Sequence, residues 1–298
     1  ASDVYKRQVW RLARKTLAGW PVADDFRWQL EDMPEPALGQ MLTRTIYLSL
    51  DPYQWGRRRS GAEQAGDICH GRTVSEVVQS RMDTYAEGDI VFNTNGWQAW
   101  GLTGENIDAF GYMFPRKIDP DLAPISTAIG VMGMLGLTAY AGLVVQCEPK
   151  PGETLVVSAA SGGVGQVVCQ LGRLYGCRVV AIAGSDEKLE YLKTLGVDAA
   201  VSHRSSSFVA ELRQACPDGC DIYFENVGGA VFEGVLPLLN VHSRISLCGL
   251  ISQYGNEEGQ DPRSLWRTHG NAVFERNRVA VHDLSLIHIS EPTRQVPI

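Results

Sequence analysis

The stretch Thr154–Gly165, TLVVSAASGGVG, decides the fold of this chain. Residues 154–160 form an apolar run of the kind found in parallel strands that are buried on both faces. A glycine-rich turn follows and leads into residues 163–175, where apolar side chains recur with helical spacing. A strand, a glycine-rich turn and a helix in this order predict the first unit of a doubly wound α/β domain.

The residues that follow repeat the same alternation of strand and helix. Cys177–Gly184 reads as a second strand, and the next helix begins after Ser185 as N-cap and stops at Gly196. Further along, strands are expected in AAVSH, DIYFENVGG and RISLCGL, with helices in SSFVAELRQAC and VFEGVLPLL. Short links between them predict a parallel sheet with right-handed crossovers.

Residues 9–125 follow a different pattern, with short strand-like segments and frequent turns. MLTRTIYLSLDPY alternates, SEVVQS and DIVFN are short apolar runs, and PEPALGQ, YAEGD and NTNG read as turns. This pattern predicts an antiparallel, barrel-like domain. We interpret the basic run Arg57–Arg59 within it as a solvated loop.

One uncharged stretch, residues 128–145, is long enough to span a bilayer. It contains four glycines, a threonine and a tyrosine, and it lies between ordinary amphipathic segments. We therefore expect a buried helix preceded by a loop, and no membrane span.

The two ends of the chain are related through their coding DNA. A coding sequence for Asp3–Gln8 reads, on its complementary strand, as Leu284–Ile289, so an inverted DNA repeat would produce both. The pair resembles a transposase end sequence used in preparing sequencing libraries. We interpret residues 1–8 and 284–298 as adapter-derived and expect the gene to continue beyond them. A terminal strand is the alternative for LSLIHI.

Charge and cysteine usage restrict the class of partner. The net charge of −7 argues against nucleic acid and anionic membranes as partners. The seven cysteines show no paired CxxC spacing, and Cys216 and Cys220, which flank a turn, supply two ligands where a structural zinc takes four. Reduced thiols in a cytoplasmic protein fit this pattern.

The turn AASGGVG carries the nucleotide-binding hypothesis. Relative to GxGxxG it has Ala160 in place of the first glycine, then Gly162 and Gly165. The second glycine lets the backbone approach a pyrophosphate, and the third allows the helix to pack closely on the strand. Gly163 and Val164 lie where the helix N-terminus offers free N–H groups to an anion.

The end of the second strand bears on the choice between NAD and NADP. A dehydrogenase that uses NAD has an acid there for the ribose 2′-OH. This sequence has Gly184 and Ser185, and Lys188 is placed to reach a 2′-phosphate with Arg204 beside it. A solvated helix face is the alternative for Lys188. The pattern favours NADPH.

Several stretches together resemble the medium-chain dehydrogenase/reductase superfamily. They are LSLDPY, GLTAYAGL, AASGGVG, GCRVVAIAGSDEK, CDIYFENVGG and CGLISQY. Within the superfamily the chain is similar to the zinc-independent, NADPH-dependent double-bond reductases: alkenal/one oxidoreductases, the leukotriene B4 dehydrogenase/prostaglandin reductase group and bacterial curcumin reductase. The similarity extends over residues 9–283.

The resemblance implies a GroES-like domain over residues 9–125 and a Rossmann domain over 126–283, with the active site in the cleft between them. It also implies a homodimer, and a further helix and strands after residue 283. Zinc-dependent relatives use Cys, His and Glu ligands. Here Cys69 and His70 are adjacent, but a third ligand is missing, so we interpret both as packing or surface residues.

The reaction implied is hydride transfer from NADPH to the β carbon of a small-molecule enone or enal. Tyr254 corresponds to a tyrosine that hydrogen-bonds near the nicotinamide ribose and substrate, and Tyr53 is expected to line the substrate pocket. The alternative for Tyr254 is a loop tyrosine with a solvated hydroxyl. The alternative for Tyr53 is a residue that packs on a turn formed by Asp51–Pro52. A quinone oxidoreductase and a non-catalytic NADPH-binding protein are the competing functions.

Four other positions are expected near the cofactor. Asn226 and Gly228 should approach it at the carboxyl edge of the sheet. His203 stands where some relatives have a tyrosine near the 2′-phosphate. Thr138 is expected at the domain junction.

Overall fold

A computed structural model describes residues 6–14, 17–108, 113–256 and 262–284. The chain divides into two compact units between Gly133 and Met134. The boundary expected from the sequence, between residues 125 and 126, falls inside a short 3-10 helix, Ile125–Ile129.

The first unit is built from antiparallel strands. Its elements are β1 (Lys6–Leu12), β2 (Phe26–Asp32), β3 (Gln40–Leu48), α1 (Tyr53–Arg59), β4 (Thr73–Ser80), β5 (Ile90–Asn93), β6 (Trp100–Gly104) and β7 (Arg116–Lys117). β1 and β2 form a two-stranded ribbon, and the other five form a sheet in the order β6-β3-β4-β5-β7. The antiparallel pattern expected from the sequence is confirmed.

The hypothesis of adapter-derived ends concerns the first and the last of the described residues. Lys6, Arg7 and Gln8 lie in β1 and pair with β2. That pairing does not bear on the origin of the coding DNA, so the hypothesis for residues 1–8 stays a prediction. At the other end, Leu284 donates its N–H to the carbonyl of Leu247. Residues 285–298 lie outside the described part of the chain.

The inner face of the five-stranded sheet carries a polar network. Asn93 on β5 is fully buried. Its Oδ1 lies 2.9 Å from Ser75 Oγ, and its amide nitrogen lies 2.9 Å from Thr103 Oγ1 and 3.0 Å from Thr43 Oγ1. The sequence predicted a turn at NTNG, but Asn93 ends a strand and Asn95 is buried beside it. These amides are buried because the hydroxyls of neighbouring strands satisfy them.

The basic run was wrongly predicted to be a solvated loop. It lies in α1, and Arg58 is only 4% exposed. The guanidinium pairs with Glu63 at 3.1 Å and packs against the rings of Trp97 and Phe26, at 4.6 and 5.5 Å from their centroids. A buried cation is tolerated here because it has both a carboxylate partner and aromatic faces.

The second unit alternates helices and strands. Its elements are α2 (Met134–Ala139), β8 (Thr154–Val157), α3 (Gly165–Leu174), β9 (Arg178–Ala183), α4 (Asp186–Thr194), β10 (Ala199–Ser202), α5 (Phe208–Ala215), β11 (Cys220–Glu225), α6 (Gly229–Val235), β12 (Leu239–Leu247), α7 (Pro262–Asn277) and β13 (Ala280–Asp283). The strand order is β10-β9-β8-β11-β12-β13, and all neighbouring strands are parallel. This confirms the predicted Rossmann sheet, in which the order of strand addition reverses between β8 and β11 while the strands stay parallel.

The apolar run in β8 is continuous because both of its faces are covered. Val156 belongs to the core on one side of the sheet, whereas Leu155 and Val157 belong to the core on the other. All seven cysteines are free thiols; Cys248 is partly buried, and the others are buried.

The uncharged stretch 128–145 is less buried than the sequence predicted. It comprises the end of the 3-10 helix, then α2, then a π-helix at Tyr140–Gln146. Gly142 and Leu143 are buried, but Tyr140 and Val145 are exposed. Among the described residues, no helix combines the length and apolar character needed to cross a membrane.

Candidate cofactor-binding and active site

The turn after β8 forms the centre of the site. Ala160 is fully buried and donates its N–H to the carbonyl of Ile182 at 3.0 Å, which extends the pairing with β9. Ala159 has a φ of +47°, an unusual conformation for a residue with a side chain. The N–H groups of Gly163 and Val164 meet no backbone acceptor in the described part of the chain, so they are available to an anion.

The glycines of this turn occupy two kinds of environment. A Cβ at Gly165 would lie 2.4 Å from the carbonyl oxygen of Ala159 and 2.8 Å from Ala160 Cα, so only glycine fits where α3 meets the turn. A Cβ at Gly162 would meet one atom within 4 Å, the Ala159 oxygen at 3.1 Å. Gly162 therefore presents open backbone, as close approach of a ligand requires.

Basic side chains converge at the ends of β9 and β10. A Cβ at Gly184 would lie 2.7 Å from His203 Nε2 and 3.3 Å from Arg204 Nε, so both side chains lie directly against this glycine. Ser185 is the N-cap of α4, although its hydroxyl makes no capping hydrogen bond. Lys188 is exposed on the first turns of the same helix.

The pKa of His203 reflects the nearby positive charges. Burial lowers the pKa of His203 below its ordinary value, and the positive charges of Arg204 and Lys188 lower it further. A backbone hydrogen bond acts in the opposite direction. A doubly charged anion at this position would meet three donors, which is the chemistry a 2′-phosphate needs.

Asn226 and Gly228 lie at the carboxyl end of β11, opposite the turn after β8. Asn226 donates its backbone N–H to Ser158 Oγ at 2.7 Å and its side-chain amide to the Ser158 carbonyl at 2.8 Å. Gly228 has a φ of +75°, which favours glycine. The structure therefore brings together the ends of two strands on either side of the point where the sheet order reverses.

Glu225, the last residue of β11, is a member of this site that sequence reasoning missed. It is completely buried, and its carboxylate accepts hydrogen bonds from the N–H groups of Val227 and Gly228 at 2.7 and 3.0 Å. A charged residue that ends a continuous apolar strand was the available signal, because acids are rarely buried without partners.

Tyr254 follows β12 at the same edge of the sheet. A Cβ at Gly249 would lie 3.1 Å from the Tyr254 hydroxyl and 3.5 Å from the Asn226 carbonyl oxygen, so the phenol lies over this backbone. Burial raises the pKa of Tyr254, while a hydrogen bond from the backbone of Leu250 lowers it. The net increase keeps the phenol protonated and able to donate a hydrogen bond.

Thr138 is buried in α2, and its hydroxyl donates to the carbonyl of Met134 at 2.6 Å, one helical turn earlier. The hydroxyl proton is therefore already committed to the helix backbone. An acceptor role towards a ligand is still open to this oxygen.

Tyr53 opens α1 in the first unit. Its hydroxyl lies 2.9 Å from His70 Nε2, and the two rings meet edge to face with centroids 6.0 Å apart. Burial, followed by the charges of nearby arginines, lowers the pKa of His70 to about 4. His70 is therefore neutral at physiological pH. The carbonyl of the preceding Asp51 accepts the N–H of Gln54 at 3.0 Å, as in a turn, and its carboxylate pairs with the buried Arg72 at 2.6 Å.

Cys69 lies in an apolar cluster of the first unit. It is fully buried with Leu12, Leu17 and Trp55, and burial raises the pKa of its thiol to about 11. Within the described ranges there is no group of three His, Cys, Asp or Glu side chains that could hold a metal ion.

Two family descriptions match the chain. Residues 8–106 match an N-terminal domain of oxidoreductases, and residues 163–285 match a family described as zinc-binding dehydrogenases. Together they cover most of the strand unit and most of the Rossmann unit.

Three known proteins illustrate the similarity. The NADPH-dependent curcumin reductase of Escherichia coli is 45% identical over 260 residues, which cover 85% of this chain and 73% of that protein. An NADP(+)-dependent 2-alkenal reductase of Nicotiana tabacum is 36% identical over 294 residues, covering 92% of this chain and 83% of that one. The crystal structure of CurA from Vibrio vulnificus in complex with NADPH superposes with a TM-score of 0.81 at 40% identity, covering 94% of this chain and 82% of that chain.

These matches agree with the glycine-rich turn, the cations around Gly184 and the parallel sheet that positions both. The resemblance inferred from short motifs is thereby confirmed over most of the sequence. The chain belongs to the zinc-independent, NADPH-dependent double-bond reductase branch of the medium-chain dehydrogenase/reductase superfamily.

Proposed function

We propose that this protein reduces the carbon–carbon double bond of α,β-unsaturated ketones and aldehydes with NADPH. The observation that carries the proposal is the 45% identity to an NADPH-dependent curcumin reductase, and the similarity to a 2-alkenal reductase supports it. When bound, NADPH supplies the hydride that adds to the β carbon of the substrate.

The residues present fit this cofactor. The available N–H groups of Gly163 and Val164 suit a pyrophosphate. Lys188 and Arg204 form a cationic end for the 2′-phosphate together with the imidazole of His203, and Gly184 and Ser185 lie between them. Asn226 and Gly228 line the crevice where the sheet order reverses, and ligands of this fold bind at that edge.

Tyr254 is the proposed hydrogen-bond donor to the substrate carbonyl oxygen, where negative charge develops during conjugate reduction. Its hydroxyl lies over the backbone of Gly249, beside the Asn226 carbonyl at the carboxyl edge of the sheet, which supports this role. Preorganised donors of this kind typically contribute about 3 to 4 kcal/mol to catalysis. Tyr53 is a second proposed substrate-contacting residue, and its hydroxyl is oriented by the neutral His70.

We further propose that the protein works in the cytoplasm as a homodimer with small-molecule substrates. The free thiols support a reducing compartment. Sedimentation analysis tests the oligomeric state, and a monomer at micromolar concentration would contradict the dimer.

Steady-state assays with an enone, a quinone, NADPH and NADH test the proposed reaction. We expect enone turnover with a clear preference for NADPH. A preference for the quinone would instead support a quinone oxidoreductase. NADPH binding without turnover of either substrate would support a non-catalytic role.

The variant Tyr254→Phe tests the proposed donor. We expect kcat/KM for the enone to fall about a hundredfold, as for the loss of one oxyanion donor, with little change in the Kd of NADPH. The exposed Tyr175 provides the matched control, since Tyr175→Phe should leave both quantities unchanged. Full enone turnover by Tyr254→Phe would remove the proposed role.

A further inference from the structure

The carboxylate of Glu225 joins three segments of the Rossmann unit. Its Oε1 accepts the N–H groups of Val227 and Gly228 and lies 3.0 Å from Ser158 Oγ. Its Oε2 accepts the indole N–H of Trp266 at 3.2 Å. One side chain therefore contacts the turn after β8, the turn after β11 and helix α7.

The backbone of Glu225 extends the same junction to a fourth segment. Its carbonyl oxygen accepts the N–H groups of Cys248 at 2.9 Å and Gly249 at 3.0 Å, directly after β12. Tyr254 lies over Gly249, so the proposed hydrogen-bond donor is next to this turn. Glu225 thus lies where the ends of β8, β11 and β12 meet, at the reversal point of the sheet.

The partners of Glu225 suit an ionised carboxylate. Each of the described hydrogen bonds to its oxygens comes from an N–H or O–H donor, and an ionised carboxyl group only accepts. Burial raises the pKa of Glu225 above its ordinary value, and the N–H groups of Val227 and Gly228 offset part of that increase. The neighbouring Tyr223 is affected in turn, because burial and then the charge of Glu225 raise its pKa.

Burying such a charge is expensive, and apolar groups of similar volume often stabilise a core as well as a buried charge does. Stability alone therefore gives a weak reason for a carboxylate at this position. The segments that it joins, by contrast, are those that face the proposed cofactor.

We propose that Glu225 is a positioning residue, which preforms the nicotinamide side of the cofactor crevice by holding the turns after β8, β11 and β12 in one arrangement. It acts through Ser158, the 226–228 turn and the 248–249 turn. The inference rests on the proposed NADPH binding and adds a residue outside the glycine-rich turn. A preformed crevice binds more tightly because less ordering remains to be done on binding.

The isosteric variant Glu225→Gln separates positioning from volume. A glutamine must direct its NH2 group either at the indole N–H of Trp266 or at the N–H groups of Val227 and Gly228, so a donor faces a donor in both orientations. We expect the Kd of NADPH, measured by fluorescence titration without enone, to rise about tenfold, the size for loss of a hydrogen bond to a charged group. The Kd of adenosine 2′-monophosphate should change less than twofold, since this ligand reaches only the cationic end.

The double variant Glu225→Gln/Trp266→Phe adds a test of mechanism. Removing the indole N–H lets the glutamine NH2 point towards α7 while its oxygen accepts from the 226–228 turn. Relative to Trp266→Phe alone, Glu225→Gln should then weaken NADPH binding by less than threefold. If Glu225 only stabilised the fold, removing the indole N–H would not restore the affinity for NADPH in this way.

The matched control is Glu153→Gln, at the opposite edge of the sheet. Glu153 precedes β8 and pairs with Arg244 at 2.7 Å, so this variant likewise replaces a hydrogen-bonded carboxylate by an amide. We expect a lower melting temperature with an unchanged Kd of NADPH.

Two results would overturn the inference: a Kd of NADPH in Glu225→Gln equal to that of the original protein, or equal weakening of NADPH and adenosine 2′-monophosphate. If Glu225→Gln does not fold, the variant Ser158→Ala replaces it in the test. We then expect the Kd of NADPH to rise about threefold, with no change in the Kd of adenosine 2′-monophosphate. An unchanged Kd of NADPH in Ser158→Ala would overturn the inference. Failure of the original protein to bind NADPH would instead refute the proposed function.

Discussion

The two units of this protein differ in where their polar and charged side chains lie. The first unit buries them and pairs them with one another: Asn93 with hydroxyls, Arg58 with Glu63, and Arg72 with Asp51. The second unit fills its strands with aliphatic side chains and leaves cations exposed at the carboxyl edge of the sheet.

This difference distinguishes polar groups that stabilise the fold from polar groups that are available to a ligand. A buried polar group whose partners are all protein groups fixes the arrangement of its neighbours. His203 and Arg204 have no carboxylate partner among the described residues, so no protein anion competes with an anionic ligand for them. Glu225 combines both features, since it is buried like the polar groups of the first unit and lies at the ligand edge of the second.

The largest expected effect comes from breaking the buried ion pair of the first unit. Glu63→Ala leaves the buried guanidinium of Arg58 without its carboxylate. We expect the free energy of unfolding to fall by about 3 to 5 kcal/mol, the usual cost of an uncompensated buried charge. Denaturant unfolding followed by tryptophan fluorescence measures it.

Glu76→Ala is the control in the same unit, because Glu76 pairs with Arg44 at the surface. An exposed pair contributes about 0 to 1 kcal/mol. Equal losses for the two variants would contradict the distinction between buried and exposed pairs.

The next effect concerns the polar network of the sheet. Asn93→Leu keeps a similar volume but leaves the buried hydroxyls of Thr43, Ser75 and Thr103 without the amide. We expect a loss of about 2 to 3 kcal/mol in unfolding free energy, from unsatisfied buried polar groups. A variant as stable as the original protein would show that the network is replaceable by apolar packing.

A smaller effect concerns the exposed cations of the second unit. His203 is neutral at pH 7 because its pKa is lowered, and a 2′-phosphate favours its charged form. Binding of NADPH should therefore take up a proton, and the affinity for NADPH should rise as the pH falls from 8 to 6.5.

Titrations of NADPH at several pH values measure this dependence. NADH lacks the 2′-phosphate, so its affinity should not follow the same trend. His203→Gln should remove the dependence for NADPH. A pH profile that is identical for NADPH and NADH would place the phosphate away from His203.

The smallest effect concerns a hydroxyl of the second unit. Ser246 on β12 is fully buried, and its Oγ has no hydrogen-bond partner within the described ranges. Ser246→Ala should therefore be neutral or raise the unfolding free energy by up to about 1 kcal/mol. A clear loss of stability would show that this hydroxyl is paired like those of the first unit.

The sequence predicted those parts of the molecule that depend on local patterns. The alternation that begins in TLVVSAASGGVG corresponds to β8 and α3, because buried strands and amphipathic helices have distinct periods. Gly196 ends its helix region with a φ of +75°, as expected of a stop.

The remaining features depend on partners that are distant in sequence. Glu225 meets Ser158 across 67 residues and Trp266 across 41, so no local window contains the junction. Arg58 was misread because a run of arginines is normally solvated, and only the fold supplies Glu63 and two aromatic rings. The π-helix at Tyr140–Gln146 departs from the helical period on which such predictions depend.

The buried thiols have a chemical consequence for an enzyme that handles enones. Such substrates are electrophiles that alkylate thiolates, and it is the thiolate, not the thiol, that reacts. Burial raises the pKa of Cys169 and Cys248 to about 12 and that of Cys177 and Cys216 to about 11. These sulfurs stay protonated, so the fold protects the catalyst from inactivation by the compounds it is proposed to consume.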